Sequence, residues 1–353
     1  MDNLYVIAPG EISTHLMKMI DAATAVSEHN MMITNPATIP DLKYKRILFA
    51  VELDQLGVNE SLLVLMKHLF DKGIDSLFGS KAGILIYSKN EMYTKSMARD
   101  LIFWANQLGC SFPGHPLVEA TGSYSNLLTW QKQYELSLEE ICWMLCSQLT
   151  IRLLSNSNPI VSSPRITVLH SSSRKTSNTL MLWDLVKKHL PTAKIEELHV
   201  ENGTVLDCIG CSYKTCMHYS LQNSCFYGGF MVQEVLPSIE KSDILIWICP
   251  NYNDSISANL MAVINRLTSL YRKTKLYDKS FFAIIVSGNS GSDTVAKQLI
   301  AALNVNKGLR LPPYFTLTAT ANDPGSINKI PNIEKIALHF ASNILLEMDE
   351  LKQ

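Results

Sequence analysis

What the chain lacks narrows its function before any motif is read. Neither charge is in surplus: 31 Lys and Arg stand against 32 Asp and Glu, a formal net charge of −1, and no local basic stripe appears. Nucleic acid and anionic lipid surfaces are therefore not expected as partners. No apolar run approaches the roughly 18 residues that span a bilayer, and the opening MDNLYVIAPG has neither the basic start nor the apolar stretch of a secretory signal. The expectation is a cytoplasmic chain with no membrane partner. Cysteine is also scarce, with eight in 353 residues, too few for a disulfide scaffold. Four of them, Cys208, Cys211, Cys216 and Cys225, nevertheless fall within 18 residues.

What is present is apolar content and alternation. At 47% hydrophobic and 353 residues, the chain can bury a substantial core, and its length suggests two domains. The polar, Pro-punctuated stretch SNSNPIVSSP, residues 155–164, reads as a linker between a domain at 1–154 and another at 165–353. In the second domain, strands are expected at 166–169, 194–200, 244–249, 281–287 and 314–318. Helical patterns fall near 178–190, 231–241, 257–271, 293–304 and 332–350. Strand and helix in alternation imply parallel βαβ units, and five strands suit the doubly wound, flavodoxin-like order 2-1-3-4-5.

The first domain repeats part of this plan. RILFAVELDQLGVNESLLVLMKHLF (46–70) has the layout of DILIWICPNYNDSISANLMAVINRL (243–267), at an offset near 200 residues. The fold class is thus α/β, two tandem flavodoxin-like domains with doubly wound parallel sheets. The first is degenerate: the turn after its opening strand is short and acidic, so no cofactor is expected there.

The turn after the first strand of the second domain is rich in hydroxyl, amide and guanidinium groups: Ser171, Ser172, Ser173, Arg174, Thr176, Ser177, Asn178 and Thr179. Ligands of such sheets sit at the carboxyl ends of the strands, and a loop entering a helix N-terminus offers free N–H groups to an anion. The turn is neither Gly-x-x-x-x-Gly-Lys nor Gly-x-Gly-x-x-Gly, which disfavours a nucleoside triphosphate or a Rossmann dinucleotide and suits a phosphate monoester. Two further loops, CPNYNDSISANLMAVINRL (249–267) and VSGNSGSD (286–293), should project from the same sheet edge.

These three loops resemble the NADPH-dependent FMN reductase family, including its iron-sulfur flavoprotein relatives, over residues 165–320. The resemblance implies FMN as cofactor, its phosphate held by Ser172, Arg174, Ser177, Asn178 and Thr179. It implies that Pro250, Asn251, Tyr252, Asn253 and Asp254 edge the flavin ring, with Ser287, Gly288, Asn289 and Ser290 flanking its far side. His170, Ser173 and Asn265 depart from the family pattern. An FMN-dependent NAD(P)H oxidoreductase follows, passing electrons to a small organic acceptor such as a quinone, nitro compound, flavin or specialised metabolite. No protein acid or base is demanded, because the cofactor carries the chemistry. The resemblance also implies a dimeric environment, which a tandem chain can supply as an intramolecular pseudo-dimer, with or without a further homodimer.

The cysteine stretch CIGCSYKTCMHYSLQNSC departs from the family's Cys-x-x-Cys-x-x-Cys spacing after its first pair. A [4Fe-4S] cluster on Cys208, Cys211, Cys216 and Cys225, relaying electrons to a protein partner, is the alternative reading. Tyr213, His218 and Tyr219 favour instead a metal-free loop covering an organic substrate, with Cys208 and Cys211 contributing by packing.

Overall fold

The computed structural model describes residues 3–155, 160–172 and 177–352. The chain divides into two compact units, Met1–Ser157 and Asn158–Gln353. Each is built on a five-stranded sheet in which every paired strand runs parallel to its neighbour.

In the first unit the strands are β1 (Leu4–Ile7), β2 (Asn30–Ile33), β3 (Arg46–Leu53), β4 (Lys81–Ser88) and β5 (Leu117–Thr121), in the spatial order β2-β1-β3-β4-β5. In the second they are β6 (Arg165–His170), β7 (Lys194–His199), β8 (Ile244–Pro250), β9 (Ser280–Ser287) and β10 (Thr316–Thr320), in the order β10-β9-β8-β6-β7. Counted from the first strand of each unit, both orders are 2-1-3-4-5, the doubly wound flavodoxin-like arrangement.

Position in the sheet explains the strand sequences. β8 (ILIWICP) and β9 (SFFAIIVS) are central, covered on both faces, and buried at every residue. Near-continuous apolar runs are what such strands require. β7 (KIEELH) lies at an edge, and of its six residues only Leu198 is buried. The switch in strand order falls between β6 and β8, which pair in register from Ile166↔Ile244 to His170↔Ile248. The C-terminal ends of these two strands carry the loops that matter.

The structure departs from the sequence reading at four places. β10 begins at Thr316, two residues late, because Tyr314 takes a left-handed backbone (φ 52°) after two prolines. The helix expected over 257–271 breaks at Leu267 into Ala258–Arg266 and Thr268–Lys273. The helices after β7 and β9 include wider π-type turns, at Met231–Val235 and Ile300–Val305. The cysteine stretch is not a loop throughout, since Tyr213–Leu221 is a helix capped by the Ser212 side chain, which accepts from the Thr215 amide. The first unit has no counterpart to that helix; its β2–β3 connection holds only a 3-10 turn at Pro36–Thr38.

Candidate functional site

β6 ends at His170, and Ser171 and Ser172 lead toward the helix Asn178–Lys187. Ser177 caps that helix, its hydroxyl accepting from the Leu180 amide. Its first amides, those of Asn178 and Thr179 included, have no partner within the helix, as in any α-helix start. Arg174 lies outside the described residues, so the structure speaks to this turn through Ser171, Ser172 and the helix start alone.

A cavity of about 740 Å³ opens above these residues. Its walls come from all five strand-end loops: Ser171, Ser172, Ser177, Asn178 and Thr179 from the first, Asn202 from the second, and Pro250, Asn251, Tyr252, Ser257, Ala258 and Asn259 from the third. Val286 and Gly288 come from the fourth, and Ala321, Asn322 and Pro324 from the fifth. Among the described lining residues no side chain is charged, and five are asparagines. Such a wall offers hydrogen bonds in both directions and little charge of its own.

The loops are tied to one another by short polar contacts. Ser171 and Ser257 share a hydroxyl hydrogen bond of 2.8 Å. Asn259 Nδ2 donates to the Val200 carbonyl at 3.0 Å and to Asn202 Oδ1 at 2.8 Å. The third and fourth loops are clasped by Asn251, whose Nδ2 reaches Ser287 Oγ at 3.0 Å, the Ser290 carbonyl at 3.2 Å and Asp254 Oδ1 at 3.2 Å. Its Oδ1 is buried without a protein partner. Gly291 is required at this clasp: its φ is +94°, and a Cβ there would come within 1.9 Å of Asp254 Oδ1.

Of the residues anticipated from sequence, Ser172, Ser177, Asn178, Thr179, Pro250, Asn251, Tyr252 and Gly288 line this cavity together. Asn253, Asp254, Ser287, Asn289 and Ser290 do not line it. Asn253 and Asp254 both have left-handed backbones (φ 53° and 55°) in a tight turn, and Asp254 faces the clasp. Ser287 is fully buried, bonded to Asn251 and Ser292. Asn289 and Ser290 contribute carbonyls that accept from Thr320 and Asn251. Asn178 also departs from its anticipated part, because its side-chain amide turns to the fifth loop. Asn202, Asn259 and Asn322 escaped the sequence reading, since isolated asparagines carry no spacing signal.

Beside the turn, the His170 and His199 rings stack at 4.7 Å with planes 10° apart. Burial, reinforced by repulsion from His199, holds the His170 pKa below its ordinary value.

The cysteine stretch lies elsewhere. Its helix Tyr213–Leu221 packs against Thr268–Lys273, with the Arg272 guanidinium 4.5 Å over the Tyr213 ring and Arg272 Nε donating to Cys216 Sγ at 3.2 Å. Buried Arg266 holds both ends of the stretch, donating to the Leu206 carbonyl at 3.4 Å and the Gly228 carbonyl at 2.9 Å. None of Cys208, Cys211, Cys216 and Cys225 lines the cavity, and no residue of the stretch covers it. Its aromatic rings pack on one another and on Arg266 and Arg272 instead. Cys208 is exposed, so it does not contribute by packing. Among the described residues no group of three or more His, Cys, Asp or Glu side chains is arranged to hold a metal ion.

The corresponding corner of the first unit is built with opposite chemistry. Ser13 caps the helix Thr14–Thr24, and the Ser13 amide donates to Glu52 Oε2 at 2.7 Å. A carboxylate of the chain therefore occupies that helix N-terminus. The adjoining cleft, about 410 Å³, is lined by Glu11, Glu52, Asp54 and Glu60, with Lys89 the one basic residue among those described.

The second unit is thus a doubly wound α/β domain with a cavity at the strand-order switch whose described lining is uncharged and amide-rich. Residues 164–322 match the sequence profile of the NADPH-dependent FMN reductases. No curated protein matches the chain. Similar solved structures include RosB with bound 8-demethyl-8-formylriboflavin-5'-phosphate, at 15% identity over 54% of this chain and 82% of that one, with a TM-score of 0.41. An azoreductase from Bacillus anthracis str. Sterne is 13% identical over 52% of this chain and 99% of its own, with a TM-score of 0.39. No helix among the described residues is long and apolar enough to cross a membrane.

Proposed function

We propose that the second unit is an FMN-dependent NAD(P)H oxidoreductase serving a small organic acceptor. The observation that carries this reading is the 740 Å³ cavity, which joins a capped helix N-terminus to polar walls from all five loops, uncharged among the described residues. Its size falls within the range of small-molecule sites, roughly 300–1,000 Å³. The donor set fits the cofactor. Helix-start amides and the hydroxyls of Ser172, Ser177 and Thr179 suit a phosphate monoester. Asparagine amides suit the polyol and ring edges of FMN, and the unpartnered buried Oδ1 of Asn251 supplies an acceptor beside the cavity.

FMN held here would supply the redox chemistry, hydride acceptance from NAD(P)H and electron delivery to the acceptor. The chain's own residues bind, orient and exclude water. Pro250, Asn251 and Tyr252 form one wall, and the clasp to Ser287 and Ser290 fixes that wall relative to Gly288. The Tyr252 ring stays 59% exposed at the rim, where it can cover an incoming ring system. The hydrogen bond between Ser171 and Ser257 ties the first loop to the third, joining the phosphate seat to the ring wall.

The experiment is anaerobic titration of FMN-loaded protein with NADPH or NADH, followed by a quinone. Bleaching of the flavin bands by the nicotinamide and their return on adding the acceptor are expected. A flavin that stays oxidised with both nicotinamides would contradict the reading.

A further inference from the structure

We propose, resting on that reading, that Asn322 is a ligand-binding residue of the cavity and that Asn178 is the residue that positions it. Sequence alone makes Asn178 a phosphate ligand. In the structure its side chain is engaged elsewhere: Nδ2 donates to the Ala321 carbonyl at 3.1 Å, the Asp323 carbonyl at 2.9 Å and Ser326 Oγ at 3.5 Å, while Oδ1 accepts from the Ile327 amide at 3.3 Å.

The two carbonyls held by one amide group belong to the residues on either side of Asn322. Fixing both neighbours fixes the backbone of Asn322 and hence the direction of its side chain. That side chain lines the cavity, and its Oδ1 stands over Gly288, where an added Cβ would lie 3.0 Å from it. A side chain at position 288 would therefore crowd the Asn322 amide, which would have to give by a few tenths of an ångström. A primary amide so placed offers two donors and one acceptor to a ligand edge that carries both kinds of group, as the flavin does. Asn178 meanwhile is the first residue of the helix whose N-terminus faces the same cavity. One residue thus registers the fifth loop on the anion-binding end of the site.

The test is a double-mutant cycle on the full-length protein, reading the FMN dissociation constant from flavin fluorescence quenching. Asn322→Ala is expected to weaken FMN about 5-fold, the value of one net hydrogen bond, without lowering the melting temperature of the apoprotein, because the side chain is exposed. Asn178→Ala is expected to weaken FMN at least as much, and adding Asn322→Ala to it should change the constant less than about 2-fold. Two independent, multiplying effects would overturn the positioning role. Unchanged affinity in Asn322→Ala would overturn the whole proposal, and that variant decides even if Asn178→Ala does not fold. Wild-type protein with no FMN affinity would instead overturn the functional reading beneath it.

Discussion

His170 ends β6 one residue before the serines of the cavity, stacked on His199 and close to Glu197, while His199 Nδ1 lies 3.4 Å from Glu201. Burial and His199 depress its pKa in the fold, against smaller opposing pulls from the Ser172 backbone and Glu197. The unfolded chain protonates such a ring near pH 6.5, so below that value the unfolded state binds more protons than the folded one. This contribution to stability is present above the unfolded pKa and is lost as the pH falls toward the folded one. Unfolding free energies from urea titration are expected to fall as the pH drops below about 6.5, by no more than about 1.4 kcal/mol per pH unit from this group. His170→Asn should flatten that slope; an equal slope in the variant would contradict the assignment. Single residues such as this one, or Asn322, were not legible as functional in the sequence. Their meaning depends on which ring or loop the fold sets beside them.

At the scale of elements, the two helix N-termini at the first strand ends explain the divergence of the units. In the second, the Ser177-capped start faces the cavity. In the first, Glu52 fills the start of Thr14–Thr24 with an anion of its own, and Glu11, Asp54 and Glu60 line the neighbouring cleft. A phosphate there would meet like charges in a confined space. Glu52→Ala is expected to destabilise the protein by about 1.5–3 kcal/mol through loss of a charge-assisted bond, measurable by urea denaturation. A neutral effect would show that the contact does not stabilise the unit. The sequence exposed the acidic character of this corner but not the residue that closes it, because Glu52 lies 39 positions from Ser13. The helix Tyr213–Leu221 was hidden for a different reason. Only Ser220 in it is buried, so it has no apolar stripe to betray its period. Arg266 is what anchors the stretch around it. Arg266→Ala is expected to open residues 206–228 to limited proteolysis, with the first cut inside that span; a variant as resistant as wild type would contradict the anchoring role.

At the scale of the whole molecule, the parallel alternation was legible because central parallel strands must be apolar on both faces, and β8 and β9 are. The matching layouts at 46–70 and 243–267 were legible for the same reason, and both units show one strand order. Three site loops were legible because their small polar residues follow those apolar runs directly. The Asn251 clasp, the fifth wall and the true course of the cysteine stretch were not, since each depends on contacts between segments 30 to 150 residues apart. The central claim is that one flavin site exists per chain, in the second unit. Isothermal titration of FMN into the full-length apoprotein tests it most directly, because stoichiometry needs no assumption about the acceptor. The account predicts one FMN per chain, with binding weakened by substituting Ser177 and unaffected by substituting Glu52; two FMN per chain, or none, would contradict it.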